Sequence, residues 1–194
     1  MKPQIMFSSR IGDRRIFAVE FEGIEFNGLP RAWNEWWGYL WLWAEGRVVG
    51  SPDEFEMVMC GIDSLIELVQ EREPAISNLL FSRPASEVLD LVQWARYGED
   101  DPPDRLVGNS LLSFPRKGFP WPLDGPFFDG LEATLVRGDL EERFVFRQEG
   151  SQTGEARWPA GTFKSVVLQA RERFQKLASG ATRAALDPPG NQRQ

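Results

Sequence analysis

The aromatic stretch at residues 33–46 constrains the fold more than any other part of the chain, because it holds five of the eight tryptophans. It has no charged residue between Trp36 and Ala44, and the Glu-Gly pair at residues 45–46 is typical of a turn. Aromatic side chains favour the pleated surface of a strand, so residues 36–44 are predicted to form one. Both faces of this strand would be apolar, and we therefore expect a central strand that is covered on both sides.

Alternate residues of a strand point to opposite faces, which divides the aromatic side chains into two sets. One face would carry Trp37, Tyr39, Trp41 and Trp43, and the other would carry Trp36, Gly38, Leu40 and Leu42. Two interpretations of the tryptophans stay open. In the first, all of them belong to the core, where each ring removes a large apolar area from water. In the second, some form an exposed patch for a partner or a sugar, with Trp33 or Trp36 as an open platform.

Flanking patterns predict further strands and amphipathic helices. Phe17, Val19 and Phe21 alternate within a first strand, and residues 47–50 resume after the turn as the second arm of a hairpin. Helices are predicted where apolar residues recur at helical spacing, from Asp63 to the residue before Pro74, from Pro84 to Gly98, and after Thr162. Additional strands are predicted at residues 131–136, 143–148 and 155–158.

Together these elements predict one α+β domain over residues 1–178, with an antiparallel sheet built round the Trp-rich strand and about three amphipathic helices packed on it. Residues 179–194 contain few apolar side chains and two prolines, so they are predicted to form a flexible tail. The longest apolar run is too short to cross a membrane, and the pattern of a signal peptide is missing. We therefore expect a cytoplasmic protein, which also suits a single cysteine, Cys60.

Catalytic and metal chemistry is limited by what the chain lacks. It has no histidine, the commonest general base and metal ligand, and only one cysteine. Ser-His-Asp and Cys-His catalysis and zinc sites built on these ligands are therefore excluded. Neither a calcium loop nor a glycine-rich phosphate loop is present, so we expect no metal and no cofactor. A carboxylate-based hydrolase stays open as an alternative, because acidic residues are plentiful beside aromatic ones.

Acidic residues are concentrated in the middle of the chain. The net charge is −7, and residues 53–104 alone carry thirteen acidic and three basic side chains. A nucleic-acid backbone requires neutralisation by Lys and Arg, so we expect no nucleic-acid partner. Concentrated negative charge instead favours a basic protein partner, which long-range attraction would steer towards it.

Two acidic groups within this segment are the candidate partner-binding residues. A proline-rich loop spans residues 98–126, and loops of this length are usually functional or mobile. Carboxylates can bind arginine through two hydrogen bonds, so we predict that both groups contact the partner. The candidates are Glu99, Asp100, Asp101 and Asp104 on this loop, and Asp53 and Glu54 after the hairpin.

The order of the segments resembles that of a known family, the bacterial polymorphic-toxin immunity proteins numbered 42. The similar segments are Phe-Ala-Val-Glu at 17–20, Gly-Tyr-Leu-Trp-Leu-Trp at 38–43, Gly-Arg-Val-Val-Gly at 46–50 and Asp-Ser-Leu at 63–65. Near the end, residues 143–148 and 155–158 and a Pro-Ala-Gly-Thr-Phe lead into the last helix are also similar. The resemblance runs over most of residues 16–176 and does not include the proline-rich loop.

The resemblance implies a non-enzymatic α+β protein of the bacterial cytoplasm. Such a protein would bind and neutralise a cognate toxin domain, delivered by a contact-dependent or type VI secretion route and encoded by the adjacent gene. The toxin would be basic, and the immunity protein a monomer or weak dimer. The resemblance supplies no catalytic residue.

Overall fold

The computed structural model describes residues 4–25, 32–69, 74–98, 101–102, 104–120, 122–123 and 125–186. In this part of the chain, eight strands and four α-helices form an α+β fold, as predicted. The strands are β1 (Gln4–Asp13), β2 (Phe17–Glu25), β3 (Trp37–Ala44), β4 (Arg47–Val49), β5 (Glu56–Met57), β6 (Leu131–Arg137), β7 (Glu141–Gln148) and β8 (Gly154–Pro159). The helices are α1 (Val58–Val69), α2 (Pro74–Phe81), α3 (Ala85–Tyr97) and α4 (Thr162–Leu186).

The first sheet contains the Trp-rich strand β3 in its interior. The order is β1-β2-β3-β4, β5 pairs with β3 beside β4, and every pairing is antiparallel. Phe17, Val19 and Phe21 share one face, as predicted, and are fully buried. That face packs against α1 and α4, where the Phe21 and Phe174 rings meet edge to face with centroids 5.4 Å apart.

The prediction that β3 is covered on both sides is wrong. Gly38, Leu40, Leu42 and Ala44 are buried on its inner face, but the opposite face is only half-buried. This outward set comprises Trp37, Tyr39, Trp41 and Trp43. The physical reason is that α1 and α4 both lie on the inner side of the sheet.

The second sheet is an antiparallel β6-β7-β8 meander that is covered on both faces. On one face Phe144 and Trp158 join the core of the first sheet, where the Phe17 ring stacks on Trp158 at 4.8 Å. On the other face Val136 and Val145 pack beneath α2 and α3. The second sheet is thus the middle layer between two apolar clusters.

Two charged side chains of β7 are buried in this middle layer and hold the layers together. Glu142 accepts hydrogen bonds from the Trp158 indole at 2.9 Å and from the backbone N–H of Phe163 in the first turn of α4 at 2.8 Å. Arg143 donates to the carbonyls of Phe81 at 3.1 Å and Arg83 at 2.6 Å, at the end of α2. Both residues are only 2% exposed, so these bonds replace the water that each charge loses.

Helix α4 begins at Thr162 as predicted but continues beyond the predicted start of the tail at residue 179, as far as Leu186. Thr182 is buried, and its hydroxyl accepts a 3.0 Å hydrogen bond from the indole N–H of Trp36. The contact places Trp36 fully in the core, so its predicted use as an open platform is wrong. The last part of the predicted tail, residues 187–194, lies outside the described residues.

The first two helices also differ from the prediction. Helix α1 begins at Val58, five residues before the predicted cap Asp63, and α2 begins at Pro74, where we expected only the end of the preceding helix. Among the described residues, no helix is both long enough and apolar enough to cross a membrane.

Candidate protein-interaction surface

An open groove of about 510 Å³ brings together three separate parts of the chain. It is lined by Glu54 from the segment before β5, by Gln93 and Tyr97 from α3, and by Leu123, Gly125 and Phe128 to Leu131, which include Asp129. Glu54 and Asp129 are exposed, and Tyr97 is 56% exposed. We call this the acidic groove, because its two charged lining residues are both carboxylates.

A second open pocket, also of about 510 Å³, adjoins the acidic groove through Gly130 and Leu131. Its charged lining residues are Glu132, Glu149 and Arg147. Arg147 is paired with Glu132 and also with Asp90 of α3, at 3.4 Å. Partial burial alone would lower the pKa of Arg147, but the hydrogen bonds to Glu132 and Asp90 raise it, and the charge of this arginine is already matched.

Asp90 also binds Arg105 through two hydrogen bonds of 2.8 and 3.1 Å. Asp90, Gln93 and Tyr97 are spaced so that they lie along one side of α3. The two arginines near the groove are therefore engaged by carboxylates of this chain, whereas Glu54 and Glu149 form no ion pair within the described residues. The groove presents net negative charge to a partner.

Two hydrogen bonds hold the segment at residues 51–55 in place beside the acidic groove. The Ser51 hydroxyl donates to the Asp129 carbonyl at 3.0 Å, and the Trp41 indole donates to the Pro52 carbonyl at 3.0 Å. Phe55 packs on the outward rings of β3, 5.6 Å from that of Tyr39. These contacts connect the acidic groove to the outward side of the first sheet.

That outward side forms a second surface, which we call the aromatic face: Trp37, Tyr39, Trp41, Trp43 and Phe55. The rings of Tyr39 and Trp41 are nearly parallel, with centroids 5.7 Å apart and planes 23° apart. The neighbouring strand β2 places two carboxylates beside them, because Glu20 pairs in register with Trp41 and Glu22 with Tyr39. Half-buried aromatic side chains are enriched at protein interfaces.

The predicted partner-binding residues are only partly brought together. Glu54 lines the acidic groove, and Asp53 is its exposed neighbour. Asp101 and Asp104 are exposed on the segment that follows α3, and Asp104 precedes the Arg105 that binds Asp90. Glu99 and Asp100 lie outside the described residues.

Other members of the two surfaces were not predicted. Tyr97 and Gln93 could have been recognised as the polar side of α3, but nothing in the sequence shows that this side meets Asp129. The proximity of Glu22 to Tyr39 depends on the register of β2 and β3. Within the described ranges, no group of three or more Cys, Asp or Glu residues is placed to hold a metal ion.

The described residues thus form an α+β fold with two open surfaces, one acidic and one aromatic. The chain matches the family Immunity protein 42 over residues 6–173 and belongs to that family. Immunity is therefore its broad role, as the sequence resemblance implied.

A solved structure with the same fold is that of CdiI from Burkholderia dolosa AUO158. The two chains share 14% sequence identity with a TM-score of 0.55, and the alignment covers 85% of this chain and 99% of CdiI. No curated protein shows significant similarity to the chain.

Proposed function

We propose that this protein binds a cognate toxin domain in the bacterial cytoplasm and neutralises it by covering the toxin's active site. Membership of the Immunity protein 42 family supports the general role. The convergence of Glu54, Asp129 and the exposed ring of Tyr97 on one open groove supports this surface as the contact. The chain itself contributes no catalytic residue in this proposal.

The charge of the groove suggests the chemistry of the toxin. Unpaired carboxylates at an open surface attract a basic partner and raise its association rate. A toxin that acts on nucleic acids or nucleotides needs cationic side chains in its own active site. An acidic immunity protein would bind those side chains and exclude the substrate in the same step.

We propose that the predicted partner-binding residues extend this contact surface. Asp53 and Glu54 stand on the segment between the acidic groove and the aromatic face, and Asp101 and Asp104 follow the end of α3 that supplies Tyr97. We therefore assign all four, with Glu99 and Asp100 between them in sequence, to contact with the toxin.

Charge reversal tests this assignment. The double variant Asp53→Lys/Glu54→Lys should weaken binding to the toxin domain encoded by the adjacent gene by about tenfold or more, mostly through slower association. Surface plasmon resonance at two salt concentrations would measure both rates. The loss should shrink at high salt because screening weakens steering.

Asp139→Lys/Glu141→Lys provides a matched control. These exposed carboxylates lie at the β6–β7 turn, at the opposite end of the second sheet from the groove. The same change in net charge there should leave binding nearly unchanged. Equal effects of the two double variants would reject the acidic groove as the contact, and a wild-type protein that neither binds nor protects cells from the toxin would reject the proposed function.

A further inference from the structure

One arginine of this chain is already bound on the aromatic face, and it shows what that face can hold. The Arg14 guanidinium lies over the Trp43 ring, 4.1 Å from its centroid. The Glu20 carboxylate accepts hydrogen bonds from Nε of Arg14 and from the Trp43 indole, each of 3.0 Å. An aromatic ring and a carboxylate on neighbouring strands thus form a cradle for a guanidinium group.

The parts of this cradle recur two residues further along the same pair of strands. Trp41 precedes Trp43 by two residues on β3, and Glu22 follows Glu20 by two residues on the antiparallel strand β2. Glu22 is therefore placed relative to Trp41 as Glu20 is placed relative to Trp43. The Tyr39 ring, stacked beside Trp41, adds a second aromatic surface to this position.

The second position differs from the first because no cation from the described part of the chain is bound there. Glu22 is half-buried, and within the described residues its carboxylate forms neither a hydrogen bond nor an ion pair. The nearest basic residue on the adjacent strand is Arg10, but Arg10 pairs in register with Glu20, and Ser8 is the residue opposite Glu22. A half-buried carboxylate beside two rings favours a cation, through charge–charge attraction and through cation–π contact.

We propose that Glu22, Tyr39 and Trp41 bind an arginine side chain of the toxin. This inference rests on the proposed function, because the toxin is the partner that supplies the arginine. Arginine fits better than lysine, since its planar guanidinium stacks on rings and donates two parallel hydrogen bonds to one carboxylate. The segment at residues 51–55 joins this position to the acidic groove, so one basic partner can contact both.

The test uses the purified toxin domain encoded by the adjacent gene as the probe, with affinity measured by isothermal titration calorimetry. Glu22→Gln keeps the size of the side chain but removes its charge, and it should weaken binding about 10- to 100-fold, the range for one charged hydrogen bond. Tyr39→Leu should also weaken binding, because it removes one ring. Thermal unfolding of each variant checks that it remains folded.

Glu25→Gln is the matched control. It makes the same chemical change on the same strand, but alternation puts Glu25 on the opposite face, and it should leave the affinity nearly unchanged. If wild type binds the toxin and Glu22→Gln binds equally well, the arginine position is wrong while the proposed function stands. If wild type does not bind at all, the proposed function fails and the arginine position with it. A soluble glucan that perturbs tryptophan fluorescence equally in wild type and Glu22→Gln would assign the rings to sugar stacking and overturn the proposal.

Discussion

Of the two interior strands, β3 is more exposed and β7 is more buried than its sequence suggests. β3 has no charged residue, yet its four aromatic side chains on one face remain half-exposed. β7 reads Glu-Glu-Arg-Phe-Val-Phe-Arg-Gln, yet it is sandwiched between two apolar layers with Glu142 and Arg143 buried. Apolar composition alone therefore does not identify the most enclosed strand.

The difference follows from where each polar group finds a partner. Glu142 and Arg143 are tolerated inside because backbone and indole groups complete their hydrogen bonds. The tryptophans of β3 can lie at the surface because a ring can be half-buried while its N–H donates to an acceptor near solvent, as that of Trp41 does to the Pro52 carbonyl. The enclosed strand serves stability, and the open one is available for binding.

We expect the largest loss of stability when the buried arginine, Arg143, is replaced. Arg143→Met would leave the carbonyls of Phe81 and Arg83 without their donor and Glu155 without its main cation. The free energy of unfolding should fall by about 3–5 kcal/mol, the usual cost of breaking a buried ion pair. Urea unfolding would measure it.

Arg47→Met, the same substitution at an exposed position of β4, should change the free energy of unfolding by no more than about 0.5 kcal/mol. Similar losses of unfolding free energy for Arg143→Met and Arg47→Met would contradict the conclusion that the second sheet is more enclosed than the first.

The next largest difference in unfolding free energy is expected between two matched tryptophan variants. Trp158→Phe removes a donor to the buried Glu142 carboxylate, and the loss of a hydrogen bond to a charged group should cost about 1.5–3 kcal/mol. Trp41→Phe removes a donor to the Pro52 carbonyl at the surface and should cost about 0.5 kcal/mol. Denaturant midpoints of both variants give the comparison, and an equal shift would show that the aromatic face is as structural as the core.

The hydrogen bond between Trp36 and α4 tests how much contacts on the covered face of the first sheet stabilise the fold. Thr182→Val keeps the shape of the side chain but leaves the Trp36 indole N–H without an acceptor, at a cost of about 1–2 kcal/mol. Thr153→Val is the control, because Thr153 is half-buried and its hydroxyl forms no hydrogen bond within the described part of the chain. Thermal unfolding that shows no difference between them would mean that residues 179–186 do not stabilise the domain.

The smallest effect that we expect is the dependence of stability on pH through Glu155. Partial burial alone would raise the pKa of Glu155, but Arg143 and then Arg157 lower it below its ordinary value. A lowered pKa in the folded state contributes stability that is present above the unfolded pKa and is lost as pH falls through the folded pKa. Wild type should therefore exceed Glu155→Gln in unfolding temperature at neutral pH, and the gap should begin to shrink below the unfolded pKa of about 4.3 and close once the pH is below the lowered folded pKa. A gap that stayed constant down to pH 2 would contradict the role of the Glu155 charge.

Local patterns predicted most of the strands and the start of α4. They failed where the outcome depends on distant parts of the chain. The sequence predicts a helix end before Pro74, but proline also suits a first helical turn, and α2 begins there. Gly180 resembles a helix end, yet α4 continues because Thr182 contacts Trp36, which is 146 residues away in sequence.

The candidate surface was predictable to the same extent. Asp53 and Glu54 were identified from their charge, and Glu54 does line the groove. The rest of the groove depends on how α3 packs beside residues 123–131, and the position of Glu22 beside Tyr39 depends on strand register. Neither could be read from one sequence.

Hydroxyl-radical footprinting of the protein, alone and in complex with the toxin domain encoded by the adjacent gene, most directly tests the division between an enclosed and an open strand. We predict strong protection of Tyr39, Trp41 and Tyr97 in the complex, with no change at Leu140, which is 83% exposed at the far end of the second sheet. Protection of Leu140, with the rings of β3 still fully oxidised, would contradict the proposed interface.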